Sequence, residues 1–235
     1  MNALDELIVR VKRGDTAAAR TLRSLYKRMI HFDVPETSVS RTIFNALYRG
    51  HDLAVGAREL VVGKLLYEPM VRARFAQVGS NLRVSSLPYV RGHAQVSIGD
   101  NCSFGHISIA SGKYHDAPEL TFGNNCHVST GVVFIVNERV SIGNFVGIAG
   151  KVRISDSAGH PTDLERRMAR QDMTLKDIDP ITIGDYAWIG HSAHIQKGVT
   201  VGTRAIVAPG SVVVKDVPPD GLAMGVPARN IAKAF

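Results

Sequence analysis

The chain has 235 residues, 45% of them hydrophobic and 21% charged, with a net charge of +7. Such a balance excludes a disordered chain. The longest apolar runs fall short of a membrane span, and the opening MNALDELIVRVKRGD lacks the basic-then-apolar layout of a secretory signal. The cations are scattered rather than clustered among aromatics, which argues against nucleic acid and suits a phosphate-bearing small molecule.

Helical periodicity dominates the first third. Residues 3–13 place Leu4, Leu7, Ile8 and Val11 on one face, and Gly14 stops it. Asp15 reads as the N-cap of a second helix with Ala18, Leu22, Leu25 and Met29 as its stripe. Pro35 interrupts, and Thr37 or Ser38 caps a third segment carrying Ile43, Leu47 and Tyr48. A fourth, from Leu53 to Phe75, sets Leu60, Val61, Leu65, Leu66, Met70 and Val71 in an apolar pattern with a kink expected at Pro69. Residues 1–77 are therefore expected to form an N-terminal helical region.

A different period then takes over. From Ile183 an aliphatic residue recurs every six positions, at Ile189, Ile195, Val201, Val207 and Val213. Gly follows at 184, 190 and 202, and four positions after each aliphatic stands a small or β-branched residue: Ala187, Ala193, Val199, Ala205, Ser211 and Val217. A period of six fits neither a helix nor a simple strand, and it matches the hexapeptide signature of β-helices. Three short strands would make one triangular turn, with stacked turns sharing a continuous core. The hexads begin weakly at Val78-Gly79, break between Ala110 and Glu119, and break again over the polar stretch Ser155 to Asp179. The reading is mainly β: a parallel β-helix over 78–235, with a loop at 155–180 and a short C-terminal helix closing the open end. Cys102 and Cys126 fall inside repeats and read as reduced core residues.

The segments GHPTDLERR, ITIGDYAWIG, APGSVVVKDVPP and GVPARNI resemble the left-handed β-helix, hexapeptide-repeat acetyltransferases. The resemblance is to the branch of galactoside and maltose O-acetyltransferases, with a layout similar to surface-polysaccharide O-acetyltransferases. It implies transfer of acetyl from acetyl-CoA to a saccharide hydroxyl, with no metal, in a cytoplasmic homotrimer or one at the inner face of the membrane. The acceptor would be a free, nucleotide-linked or lipid-linked sugar, and the N-terminal helices would offer peripheral attachment. His160 matches the family's catalytic base, a residue type suited to taking a hydroxyl proton near neutral pH. Trp188, Gly190 and His191 would lie at the thioester end of the cofactor. Ala208, Pro209 and Gly210 would line its pantetheine arm, and Lys215 and Arg229 would meet its phosphates. The family's acceptor-contacting Asn is replaced near Ser129 to Gly131, leaving Ser129 and Asn137 as acceptor candidates. Asp156, Asp163 and Glu165 all stand near enough in sequence to orient His160.

Other readings compete. Nine histidines leave room for a zinc site, although His191 and His194, three apart, point in different directions. A non-enzymatic scaffold would leave the His160 loop without a purpose. An antibiotic-modifying or amino-sugar N-acetyltransferase would share the fold and chemistry but differ in acceptor.

Overall fold

The computed structural model describes residues 16–233 together with Val9 and Arg13. The helix expected over 3–13 lies outside the described residues. The chain divides into two compact units, Met1–Ala54 and Val55–Phe235.

In the first unit, the helix Ala17–Ile30 is capped by Thr16, whose hydroxyl accepts from the Ala19 N–H at 3.1 Å. The cap is one residue beyond the expected Asp15. The next helix begins at Ser38 behind a reciprocal cap, in which the Ser40 N–H donates to Thr37 Oγ1 and the Thr37 N–H to Ser40 Oγ. It runs unbroken to Val62, so the expected third segment and the start of the fourth are one helix of 25 residues. Gly50 and Gly56 do not interrupt it, because a glycine costs a helix only about 1 kcal/mol relative to alanine. Leu22, Leu25, Met29, Ile43 and Leu47 are all exposed.

The second unit begins within that helix at Val55 and continues with a π-helical turn, Gly63–Tyr67, and the helix Glu68–Arg74. Pro69, where a kink was expected, falls in the first turn of that last segment, directly after the π-helical turn. Gly63 sits against the strand Arg83–Val84 so closely that an added Cβ would come within 2.6 Å of Val84 O. Arg72 donates to the Val78 and Gly79 carbonyls, Arg74 to Gly92 O, and Lys64 to Leu82 O. The basic side chains of this stretch are thus engaged with the first coil. Val71 and Phe75 are buried at the start of the core.

Every pair of strands in the prism is parallel until the last. One six-stranded sheet stacks Gln77–Val78, Gln95–Ile98, Glu119–Phe122, Arg139–Ile142, Ile181–Ile183 and Thr200–Val201. The second sheet begins with Arg83–Val84, Ser103–Phe104, His127–Val128, Gly147–Ile148, Trp188–Ile189 and Ile206–Val207. The third stacks Tyr89–Arg91, Ile107–Ala110, Val132–Ile135, Arg153–Ser155, His194–Ile195 and Val212–Val213. That makes six coils, with Val217 bridging Val201 at the start of a seventh. The fold is the expected mainly β solenoid, and its hexad phase implies left-handed coils.

The hexad aliphatics are its spine: Ile183, Ile189, Ile195, Val201, Val207 and Val213 are each at most 1% exposed. The small residues four positions later, from Ala187 to Val217, are buried at the corners. Earlier coils add a ladder of rings, Phe104 on Phe122 on Phe134, with centroids 5.0 and 5.5 Å apart and edge to face. Cys102 and Cys126, equivalent positions of adjacent coils, are buried and form no disulfide. The corner between the first and second sheets needs a left-handed residue in each coil, and Asn81, Asn101, Asn125, Phe145, Tyr186, Arg204 and Asp220 all take φ between 53° and 60°.

The C-terminal tail departs from expectation. Instead of a short helix, Gly221–Gly225 and Ala228–Lys233 form an antiparallel hairpin that extends the second sheet. Leu222 and Ala223 pair with Ile206 and Val207, so the tail covers the last coil by continuing its ladder.

Candidate active site

The candidate residues fall on two edges of the third sheet. Where that sheet hands over to the first, the chain leaves the prism twice, at 111–118 and 156–180. The second excursion is ordered. Its ends meet through an antiparallel bridge between Ser157 and Ile178 and through the Asp179 N–H donating to Asp156 O at 2.9 Å. Within it, Asp163 caps the helix Leu164–Met168 by accepting from the Arg166 N–H. Arg166 then reaches Asp177 at 2.8 and 3.2 Å and Asp172 O at 3.1 Å. The Arg166 guanidinium and the Thr174 N–H hold the Asp177 carboxyl down to about 2. Lys113 of the first excursion joins Asp172 of the second at 2.6 Å.

His160 stands near the start of this excursion. It is exposed and makes no hydrogen bond among the described residues. None of the three carboxylates considered for orienting it touches it. Asp163 is turned to its cap. Asp156 is fully buried and accepts from the N–H groups of Asn137, Glu138 and Arg139 and from the Asn137 side chain. Burial pushes its carboxyl up, and those N–H donors hold the rise back. Asn137, 3% exposed, is the other half of this latch: its Nδ2 donates to Ser157 Oγ at 2.8 Å and its Oδ1 accepts from the Gly112 N–H at 3.0 Å. Both ends of its amide are thus engaged inside the chain, binding the two excursions to one corner.

The opposite edge, where the second sheet hands over to the third, gathers most of the remaining candidates. Trp188 lies exposed beside Gly147, the register partner below it. Gly190 packs under the next coil so tightly that a Cβ would come 2.5 Å from Pro209 N. The Gly210 N–H donates to His191 O at 2.8 Å, which stacks the Ala208-Pro209-Gly210 turn directly on His191. Of the N–H groups along Trp188-Ile189-Gly190-His191, those of Trp188 and Gly190 go to carbonyls of the next coil. The His191 N–H has no partner among the described residues.

Lys215 and Arg229 come together one strand further on. They share a recess of about 380 Å³ with Val214, Asp216 and Asn230. Neither cation makes an ion pair among the described residues. Asp216 is occupied by the Thr200 N–H at 2.7 Å. Such a recess offers fixed positive charge to an anion.

Ser129 lies elsewhere, in a groove on the second sheet beside His127. The sequence assigns no saccharide role to its neighbours Arg83, Ser103 and His127, the last counted only among the histidines open to a zinc site. Their signal is positional: they are in-register Cα partners across three successive coils. Among the described residues no three His, Cys, Asp or Glu side chains are grouped to hold a metal ion. No described helix is long and apolar enough to cross a membrane.

Comparison with known proteins adds to this geometry. Residues 180–215 match the model of the bacterial transferase hexapeptide, six repeats. The galactoside O-acetyltransferase of Escherichia coli is 33% identical over 164 residues, covering 70% of this chain and 66% of that protein. A hexapeptide-repeat-containing acetyltransferase of Vibrio cholerae superposes with a TM-score of 0.50 at 27% identity, over 77% of this chain and 89% of the other. An N-acyltransferase of Bacillus cereus, in complex with dTDP and 3-hydroxybutyryl-CoA, shares the fold at a TM-score of 0.56 and 16% identity, over 71% and 87% of the two chains. The chain spans 56% to 66% of the length of the first curated relatives it matches.

Proposed function

We propose that the chain is a hexapeptide-repeat acetyltransferase and that it moves an acetyl group from acetyl-CoA to a saccharide hydroxyl during surface-polysaccharide synthesis. The observation that carries the proposal is the presentation of His160: an uncommitted imidazole, open to solvent, on an excursion pinned at both ends to the prism. Pinning a base on a scaffold is what an otherwise weak hydroxyl nucleophile requires.

His160 takes the proton as the acceptor oxygen attacks the thioester carbonyl, and it returns that proton to the departing thiolate. The tetrahedral oxyanion needs a donor, and the unpartnered His191 N–H is available for it. Acetyl-CoA would lie along the other edge, its thioester near Trp188 and Gly190 and its pantetheine on the exposed Pro209-Gly210 turn. Its phosphates would meet Lys215 and Arg229 in their recess. His160 and the thioester-end candidates Trp188, Gly190 and His191 stand at opposite margins of the third sheet. A homotrimer, in which one copy's excursion meets the cofactor edge of another, would unite them.

Free-thiol release from acetyl-CoA, measured against neutral sugars, acidic sugars, sugar nucleotides, amino sugars and chloramphenicol, tests the reading. Turnover with a hydroxyl acceptor of the sugar class is the expected result. Turnover confined to amino sugars or the antibiotic would replace the acceptor, and the absence of acetyl-CoA binding by folded protein would overturn the activity.

A further inference from the structure

A groove of about 590 Å³ runs between the helical residues Gly56 to Lys64 and the outer face of the second sheet in its first three coils. That size is typical of small-molecule sites. Its floor is the register column Arg83, Ser103, His127. The imidazole of His127 is held at both nitrogens, with Ser103 Oγ 2.8 Å from Nδ1 and Ser129 Oγ 3.3 Å from Nε2. Ser85 and Thr130 add further hydroxyls, and Leu60 supplies an apolar wall.

Charge is arranged unevenly within it. Lys64 is committed to Glu68 and Leu82 O. The Arg83 side chain, by contrast, is exposed, and its guanidinium makes no hydrogen bond or ion pair among the described residues. It also lines an adjoining recess of about 480 Å³ with Asn81, Asn101 and Ser103. Glu59, the acid of the groove's lining, forms no ion pair with it. A free guanidinium between two recesses is a fork shaped for a carboxylate or phosphate.

The column does not stop at His127. It continues through Gly147 to Trp188. Two strand spacings separate His127 from Trp188, about 10 Å. Gly147 leaves that path open: an added Cβ would lie 3.4 Å from Trp188 Cδ1. The groove therefore opens along one sheet toward the edge assigned to the thioester.

We infer that this groove binds an anionic saccharide, with Arg83 pairing to its carboxylate or phosphate and the Ser103–His127–Ser129 row bonding its ring hydroxyls. Sugar hydroxyls both donate and accept, as serine hydroxyls and an imidazole do. The role of this ligand as acceptor rests on the acetyl-transfer reading; its binding does not.

The test is calorimetric binding without acetyl-CoA, using three probes: a uronic-acid disaccharide, its neutral parent disaccharide and a sugar 1-phosphate. An acidic probe is expected to bind at least roughly tenfold more tightly than the neutral one, the usual effect of a charged hydrogen bond. The tighter of the two acidic probes identifies carboxylate or phosphate as the anion. Arg83→Gln should abolish the preference, whereas Arg91→Gln, which removes the same charge outside the groove, should preserve it. Equal binding of acidic and neutral probes, a preference that survives Arg83→Gln, or no acidic probe bound would each overturn the inference. Acidic-sugar binding without acetyl-CoA turnover would instead count against the transfer reading alone.

Discussion

Asp156 and Asn137 tie the excursion bearing His160 to the prism. A carboxylate buried against three backbone N–H groups and an amide is replaced poorly by asparagine, whose NH₂ would face donors. Asp156→Asn should cost about 1–3 kcal/mol, the penalty for an unsatisfied buried donor. Thermal unfolding would check it, and a loss below roughly 0.5 kcal/mol would fall within ordinary surface effects and contradict the latch. The Arg166–Asp177 pair makes a pH-dependent prediction. Because the folded Asp177 carboxyl titrates near 2, below its ordinary value of 3.8, its contribution is present at neutral pH. It is lost as pH falls from about 4 toward 2. Pepsin cleavage between residues 164 and 179 should rise over that interval, and trypsin should cut Asp177→Asn there already at pH 7. Equal trypsin resistance of variant and parent would remove the pair from the account. These partnerships were illegible in the sequence, which left three carboxylates open for His160 and offered Asn137 as an acceptor contact. Hydrogen bonds between residues 11 to 25 apart in the chain decide where such groups point, and no local spacing encodes them.

The hexads were legible for the opposite reason: each element repeats one local rule, an aliphatic inward and a small residue at the corner. The rule weakens where large side chains substitute, as in the Phe104–Phe122–Phe134 ladder. Phe134 is fully buried, and Phe134→Ala should destabilise by about 3–5 kcal/mol. Chemical denaturation would measure this, and a cost under about 1 kcal/mol would mean the ladder is not packed as described. The tail misled because GVPARNIAKAF has helical composition, yet the last coil leaves ladder groups at Ile206 and Val207 that only a strand can pair. The helical segments were mis-divided before Leu53, where the helix runs unbroken through Gly50 and Gly56, and the expected kink at Pro69 is met instead by a π-turn just before it.

For the whole molecule, composition alone gave a soluble-type balance and periodicity gave the solenoid, but neither specified how the candidate groups divide between two edges of one sheet. On the proposed reading, that division calls for assembly, with one copy's excursion meeting the thioester edge of another. Light scattering of the purified chain should report three copies, and mixed trimers of a His160→Ala chain with a Lys215→Gln Arg229→Gln chain should recover activity that neither possesses alone. A monomer with full activity would break the shared-site account. The most direct test of acetyl transfer by this prism is the kcat of His160→Ala, with acetyl-CoA affinity measured in parallel. The account predicts a kcat lower by about two to four orders of magnitude, the usual scale of a general base, with affinity retained. Turnover near that of the unmodified chain would contradict it.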